Sequence, residues 1–169
     1  MTGFRIEPLS SKYDRLSFNS GSVPLDRYLR ELATQDMKRR ISNCFVALDD
    51  ADTIAGFYSF AATSLPLTEL TPEETKRLPR YGVLPAGLIG RLAFDRRYQG
   101  HGLGVSLIMD AANRAAHAEP AIFALVVDAK DDAAAAFYRH LGFKAFASRP
   151  SSLFLPIASI LAALEVNTR

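Results

Sequence analysis

Three glycines stand within five positions in the stretch RRYQGHGLGVSLIMDAA (96–112), which then runs straight into an apolar, helix-forming segment. Gly100, Gly102 and Gly104 each cost backbone entropy, so ordinary loop duty is a poor reason for all three. A strand, a glycine loop and a helix in that order bring backbone N–H groups and a helix N-terminus together, an arrangement that favours phosphate. The loop is not a Walker A loop, because no Gly-Lys is followed by Ser or Thr. Nor is it a dinucleotide fingerprint: the spacing is Gly-x-Gly-x-Gly, and nothing upstream resembles a first βαβ half. What remains is Gln99-x-x-Gly102-x-Gly104, in which the backbone can approach a pyrophosphate closely and the helix dipole favours its charge. The alternative is a glycine-rich turn that only permits tight packing.

The other reactive residue types narrow the chemistry. Cys44 is the single cysteine, so an internal disulfide framework and a cysteine-rich zinc site are excluded. It lies in the apolar run CFVAL, the setting of a buried structural thiol. His101, His117 and His140 lack metal-ligand spacing, and no metal is expected. His101 is read as a solvated loop residue, the other two as exposed helix positions. The formal net charge is only +2, but its distribution is uneven. Lys38-Arg39-Arg40, then Lys76, Arg77 and Arg80, then Arg91, Arg96 and Arg97 cluster in the N-terminal and central parts, which permits a polyanionic ligand.

These residues need a frame. At 169 residues, 49 % hydrophobic and 22 % charged, the chain has ordinary globular composition and is read as one domain over 1–169. No secretory leader pattern opens it, and no run approaches the ~18 apolar residues of a membrane span, so a cytoplasmic protein is expected. FRIEPL (4–9) alternates like a strand. From Pro24 a helix is expected, with Leu25, Tyr28, Leu29 and Leu32 on one stripe. NCFVAL and TIAGFYSFAA read as two strands around a tight polar turn. Residues 65–85 carry four prolines and read as irregular, with one short helix near PEETKR. GLIGRLAF (87–94) is a strand, the helix after the glycine loop covers about 103–118, and AIFALVVDA (121–129) is a strand rich in β-formers. DDAAAAFYRHL is a helix stopped by Gly142, FKAFA and SLFL are closing strands, and a last helix covers 157–165. The fold class is α/β (α+β), a mixed sheet with helices around it.

The two motifs together resemble the GNAT superfamily of acetyl-CoA-dependent N-acetyltransferases. QGHGLG is similar to the loop that grips the coenzyme A pyrophosphate in that family. GRLAFD matches the strand that splays from its neighbour and presents N–H groups to thioester and pantetheine. DAKDDAAAAFYRHLGF matches the second cofactor-contacting helix, with Ala134, Tyr138 and Gly142-Phe143 in register. Asp131 departs from the pattern, because many members carry asparagine there. The stretches FNSGSVPLDRYL, IAGFYSFAATSLPL and LPRYGVLPAGLIGRLAFDRRYQGHGLG narrow the resemblance to the GNAT toxins of bacterial toxin–antitoxin modules. That branch implies a mostly antiparallel sheet splayed at the acetyl-CoA site, acetylation of the α-amino group of aminoacyl-tRNA, and inhibition of translation. It also implies a ribbon–helix–helix antitoxin, contact with DNA only through that antitoxin, and a homodimer.

The resemblance assigns roles to residues. Acetyl-CoA contacts are expected at Leu92, Ala93, Phe94, Arg97, Gln99, Gly100, His101, Gly102, Leu103, Gly104, Asp131 and Ala134. Backbone N–H groups around Leu92–Phe94 are candidates to polarise the thioester carbonyl, and Tyr138 is the candidate acid for the leaving thiolate. A phenol has a reference pKa near 10 and is protonated at neutral pH. Without the resemblance, Phe137-Tyr138 on an alanine-rich helix reads as core packing. No side chain stands out as general base, which suits an α-amine with a reference pKa of about 7.7–8.0 better than a lysine at about 10.4. Lys38, Arg39, Arg77, Arg80 and Arg91 are the candidate RNA contacts, although Lys38 to Arg40 equally suit the end of the first helix. The competing readings are an acetyltransferase for protein N-termini, lysines or small amines, and a non-catalytic partner of a DNA-binding antitoxin.

Overall fold

The computed structural model describes residues 3–167. Seven strands, β1 (Arg5–Pro8), β2 (Asn43–Leu48), β3 (Ile54–Pro66), β4 (Val83–Phe94), β5 (Ala124–Asp128), β6 (Lys144–Ala145) and β7 (Ser152–Pro156), form a sheet in the order β1-β2-β3-β4-β5-β7-β6. The helices are α1 (Val23–Arg27), α2 (Ala33–Lys38), α3 (Pro72–Thr75), α4 (Leu103–Ala116), α5 (Asp132–His140) and α6 (Ile157–Asn167). Two compact units divide the chain, one comprising residues up to Ala61 with Ile89–Ala111, the other Ala62–Leu88 with Ala112 onward.

In the first unit β2 pairs antiparallel with both β1 and β3. Every residue of β2 from Cys44 to Leu48 is buried, so the strand is covered on both faces. Cys44, Val46 and Leu48 share a core cluster with Leu29, Ala33, Phe57 and Ala93, as the period of two along a strand requires. Phe57 stacks on Tyr28, with ring centroids 6.2 Å apart, and takes Phe18 edge-on at 5.6 Å. The expected helix from Pro24 is present but is not one regular α-helix. A π turn over Tyr28–Leu32 separates α1 from α2. Its extra residue advances the buried stripe by one position. Leu32, expected on the stripe, is 39 % exposed, and Ala33 is fully buried in its place.

In the second unit β7 pairs antiparallel with β5 and β6. Leu65, Leu84, Ala86, Ala124, Val126, Phe146 and Phe154 close a second core cluster. The proline-rich segment packs Leu67, Leu70 and Leu78 against that cluster. Its short helix is one turn, started by a capping box in which Thr71 and Glu74 bond each other's backbone N–H. Several expected boundaries shift. β4 starts at Val83 rather than 87, β5 is trimmed to Ala124–Asp128, and only Lys144 and Ala145 of FKAFA pair. Strand length is set by where a partner is available, which a single strand's own residues do not encode.

Candidate active site

The glycine loop is fastened by carboxylates that the sequence reading did not single out. Asp95, 1 % exposed, ends β4 and caps the 3-10 turn Arg96–Tyr98. It accepts from the Arg97 N–H at 2.9 Å, from Arg97 Nε at 2.9 Å and Nη2 at 3.1 Å, and from the Asn19 N–H at 2.9 Å. Burial alone pushes the Asp95 carboxyl up, but the bonds from Arg97 and Asn19 outweigh it and hold its pKa below the ordinary value. Next along the turn, the Tyr98 hydroxyl donates to Asp49 Oδ2 at 2.6 Å. Asp49 in turn accepts the N–H groups of Ala51 and Thr53 at 2.9 Å each and so builds the β2–β3 turn. The loop therefore starts from a doubly anchored turn. The only sequence signal was an acidic residue directly after an apolar strand and before two arginines.

The loop itself has the conformation its glycines allow. Gly100 and Gly102 adopt φ of +85° and +69°, and a Cβ added at either would meet nothing within 4 Å. Their lack of a side chain is required by backbone conformation and leaves open space beside the chain. Leu103 and Gly104 are buried at the start of α4, whose first intrahelical bond runs from the Ser106 N–H to the Gly102 carbonyl at 3.1 Å. The N–H groups of 103–105 precede that ladder, as at any helix N-terminus, and no acidic residue stands in the first turn. Such an end suits an anion. Gln99 is exposed; His101 is exposed too, with its ring edge-on to Phe4 and Tyr98 at 6.2 Å each. That is the solvated loop position expected of it.

One further glycine, Gly56 of β3, lets the loop helix approach. A Cβ there would lie 3.0 Å from the Ala93 carbonyl, 3.1 Å from Leu103 and 3.3 Å from Leu107. Ala93 is buried between half-buried Leu92 and Phe94 at the end of β4. The strand end and the start of α4 thus meet over a missing side chain.

Tyr138 lies in the second unit on α5, buried to 6 % exposure between the rings of Phe137 and Phe143, at 5.4 and 5.5 Å. Gly142, at φ +105°, ends the helix and lets the Phe143 N–H return to the Tyr138 carbonyl at 3.1 Å. Burial, aided by the Asp128 carboxylate, pushes the Tyr138 hydroxyl up to about 12. No described residue hydrogen-bonds that hydroxyl, and no sealed side-chain oxygen among the described residues lacks a partner. Its oxygen is therefore the part of the side chain that keeps access to solvent. Asp131 accepts the Ala134 N–H at 2.8 Å as N-cap of α5. Both residues of that expected pair are thus joined to each other.

The candidate RNA contacts fall into separate groups. Lys38 and Arg39 are exposed at the C-terminal end of α2, and Arg40 follows at φ +61°. Arg91, on β4, places its guanidinium carbon 3.9 Å from the centre of the Tyr28 ring. Arg77 and Arg80 are exposed after α3, in the second unit. Cys44 is fully buried and its thiol is pushed up to about 12 by burial, in keeping with a structural role. Among the described residues no group of three or more His, Cys, Asp or Glu could hold a metal ion, and no helix is long and apolar enough to cross a membrane.

A mixed seven-stranded sheet, with a positive-φ glycine loop feeding a helix N-terminus, is an arrangement suited to a protein that binds a phosphorylated ligand. The family comparison agrees: residues 40–145 match the acetyltransferase (GNAT) domain model. A probable toxin TacT of Sinorhizobium fredii is 31 % identical over 166 residues, 92 % of each chain. A tRNA-acetylating toxin of Mycobacterium tuberculosis is 36 % identical over 149 residues, 87 % of this chain and 88 % of that one. Among solved structures, AtaT complexed with acetyl-methionyl-tRNAfMet superposes with a TM-score of 0.87 at 26 % identity, covering 96 % of this chain and 99 % of that one. AtaTR bound with acetyl-CoA gives 0.81 at 26 % identity over 95 % and 98 %, and the AtaT–AtaR complex bound to DNA gives 0.75 at 25 % over 95 % and 99 %. This chain belongs to the GNAT acetyltransferase family.

Proposed function

We propose that this acetyltransferase is the toxin of a toxin–antitoxin module and transfers acetyl from acetyl-CoA to the α-amino group of aminoacyl-tRNA, inhibiting translation. The observation that carries the reading is the likeness, over nearly the whole chain, to tRNA-acetylating toxins. The site supports it. Gly100, Gly102 and the N–H groups that open α4 take the donor pyrophosphate, and the backbone of Leu92 to Phe94 lies along the thioester and pantetheine. The α-amine attacks the thioester carbonyl carbon, and the C–S bond breaks as the N–C bond forms. Tyr138 gives its proton to the departing thiolate, and the proton lost by nitrogen restores the phenol through solvent. A phenol at about 12 is fully protonated at neutral pH, as an acid in this step must be. An α-amine, with a reference pKa of about 7.7–8.0, needs no strong base.

We infer the partners and setting as well. A ribbon–helix–helix antitoxin neutralises the enzyme and carries it to DNA, the toxin acts in the cytoplasm as a homodimer, and residues 1–169 form its single acetyltransferase domain. Lys38, Arg39, Arg91, Arg77 and Arg80 contact the tRNA backbone.

The test is transfer of labelled acetyl from acetyl-CoA to total charged tRNA, with wild type and Tyr138→Phe. Label in RNA that is released with the amino acid on ester hydrolysis, and absent with the variant, is expected. Label that appears only in peptides or small amines overturns the acceptor while leaving the family intact. In growing cells, Tyr138→Phe is expected to lose toxicity and still bind its antitoxin.

A further inference from the structure

Residues 76–83 combine cations, an aromatic ring and a rigid mounting in a way that neither the core nor the acetyl-transfer step uses. Lys76, Arg77 and Arg80 are exposed, and among the described residues none is in an ion pair. Of the acidic residues just before them, Glu73 is exposed and forms no ion pair with any described residue, while Glu74 and Glu69 are committed elsewhere. Glu74 closes the Thr71 capping box and meets Lys144 at 3.2 Å, while Glu69 accepts from Ser148 Oγ at 2.5 Å. Tyr81 is 79 % exposed and makes no ring contact with any described residue. Tyr81 is absent from the core, and its ring, apolar on its faces and polar at the hydroxyl, stands open to a ligand.

The segment is nevertheless fixed at both ends. Leu78 packs against the second core cluster, and its N–H bonds the Thr75 carbonyl at 3.0 Å. Gly82 accepts the Leu67 N–H at 3.0 Å and turns the chain at φ +85°, after which Leu84 is buried in the same cluster. Pro79 restricts the backbone between them. Only Pro79, Arg80 and Tyr81 separate the two anchors, so the guanidinium and the phenol ring are held out together. Guanidinium plus aromatic face is the pairing that grips unpaired nucleotides, the cation on phosphate and the ring against a base.

We propose that Tyr81 is a specificity-determining residue that stacks on an unpaired base of the acceptor RNA, while Arg77 and Arg80 hold the adjoining phosphates. The inference rests on an RNA acceptor, and it selects single-stranded RNA near the esterified amino acid over duplex. Stacking and charge separate cleanly by salt. Removing a phosphate contact flattens the plot of log affinity against log salt by about 0.7–0.9 per cation, whereas removing a stacking ring lowers affinity at every salt with the slope unchanged.

The experiment measures binding of tRNA over a salt series, together with acetyl transfer to charged tRNA, for Tyr81→Ala, Tyr81→Phe, Tyr81→Leu and Arg80→Ala. Tyr81→Ala is expected to bind about tenfold more weakly at unchanged salt slope, with KM raised and kcat at saturation unaltered. Tyr81→Phe is expected to match wild type, Tyr81→Leu to resemble Tyr81→Ala, and Arg80→Ala to flatten the slope. Equal binding by Tyr81→Ala and wild type overturns the stacking role, as does rescue by leucine as full as by phenylalanine. A wild type that binds RNA but acetylates none of it overturns the acceptor reading alone, because the Tyr81 comparison is still decided by binding. A wild type that binds no RNA overturns both. Tyr81 supports no core, so thermal unfolding of the variants is expected to match wild type.

Discussion

The Arg97 guanidinium meets the buried Asp95 carboxylate side-on, Nε at 2.9 Å from one oxygen and Nη2 at 3.1 Å from the other. The arginine side chain is 54 % exposed and the aspartate 2 %. The pair is thus a hinge plate between β4 and the glycine loop: one half is sealed in the fold, the other reaches solvent. Arg97 was expected beside coenzyme A, and the part of its side chain outside the ion pair is exposed.

Asp95→Ala is expected to destabilise the protein by about 2–3 kcal/mol, because it strands the Asn19 and Arg97 N–H groups and an arginine partner at once. The measure is chemical denaturation. The acid dependence has a definite sign. Asp95 is held below its unfolded value, so its contribution is complete above about pH 4 and is lost as pH falls through its lower folded value. Asp95→Ala should flatten the stability profile in that window and not above it.

Tyr138→Phe is expected to lower kcat by about 10²–10³-fold, with acetyl-CoA affinity and thermal stability within error of wild type. Isothermal titration and steady-state kinetics separate these. Since the hydroxyl is pushed up to about 12, loss of the acid does not limit wild-type rate near pH 10. An alkaline limb at about pH 10 that disappears in Tyr138→Phe would contradict the protonation state given to it.

Gly56→Val and Gly102→Ala test two different demands. At Gly56 the demand is space, because the Ala93 carbonyl and Leu103 lie 3.0 and 3.1 Å from the added carbon. Overpacking there is expected to cost about 1–3 kcal/mol and to weaken acetyl-CoA binding by displacing the start of α4. At Gly102 space is free and only φ is at issue, so Gly102→Ala is expected to cost about 1–2 kcal/mol. Unfolding curves with and without acetyl-CoA read both.

Alkaline stability has four identifiable sources. Tyr28, Tyr98 and Tyr138 are each pushed up to about 12, first by burial, and Cys44 likewise. A group whose folded value is raised contributes stability that is full below its unfolded value and is lost as pH rises through the folded one. Unfolding free energy should therefore decline between about pH 9 and pH 12. Tyr98→Phe is expected to remove part of that decline, measured as the difference between denaturation midpoints across the series.

How much of this was legible beforehand depends on whether the signal is local. Gly100, Gly102 and Gly104 were read as a loop that lets backbone approach a phosphate, and Gly142 as a helix stop; Gly100, Gly102 and Gly142 take positive φ, whereas Gly104 lies within α4. The buried β2 and the acetyltransferase motifs were equally readable, since an apolar run and a loop–helix pattern carry their meaning in adjacent residues. Ala33 was not readable. The pattern favoured Leu32, whereas the folded chain has a π turn over Tyr28–Leu32 that leaves Leu32 exposed and buries Ala33 beside Leu29 and Phe57. Nor was Asp95, whose partner Asn19 lies 76 residues away. Sequence determined the family, because two motifs in the right order carry it; the glycine loop and Tyr138 took their expected roles only from that resemblance. Tertiary structure alone decided which carboxylates anchor the loop, which leucine faces water and which tyrosine stands free, because burial and hydrogen-bond partners arise from chain segments that meet only on folding.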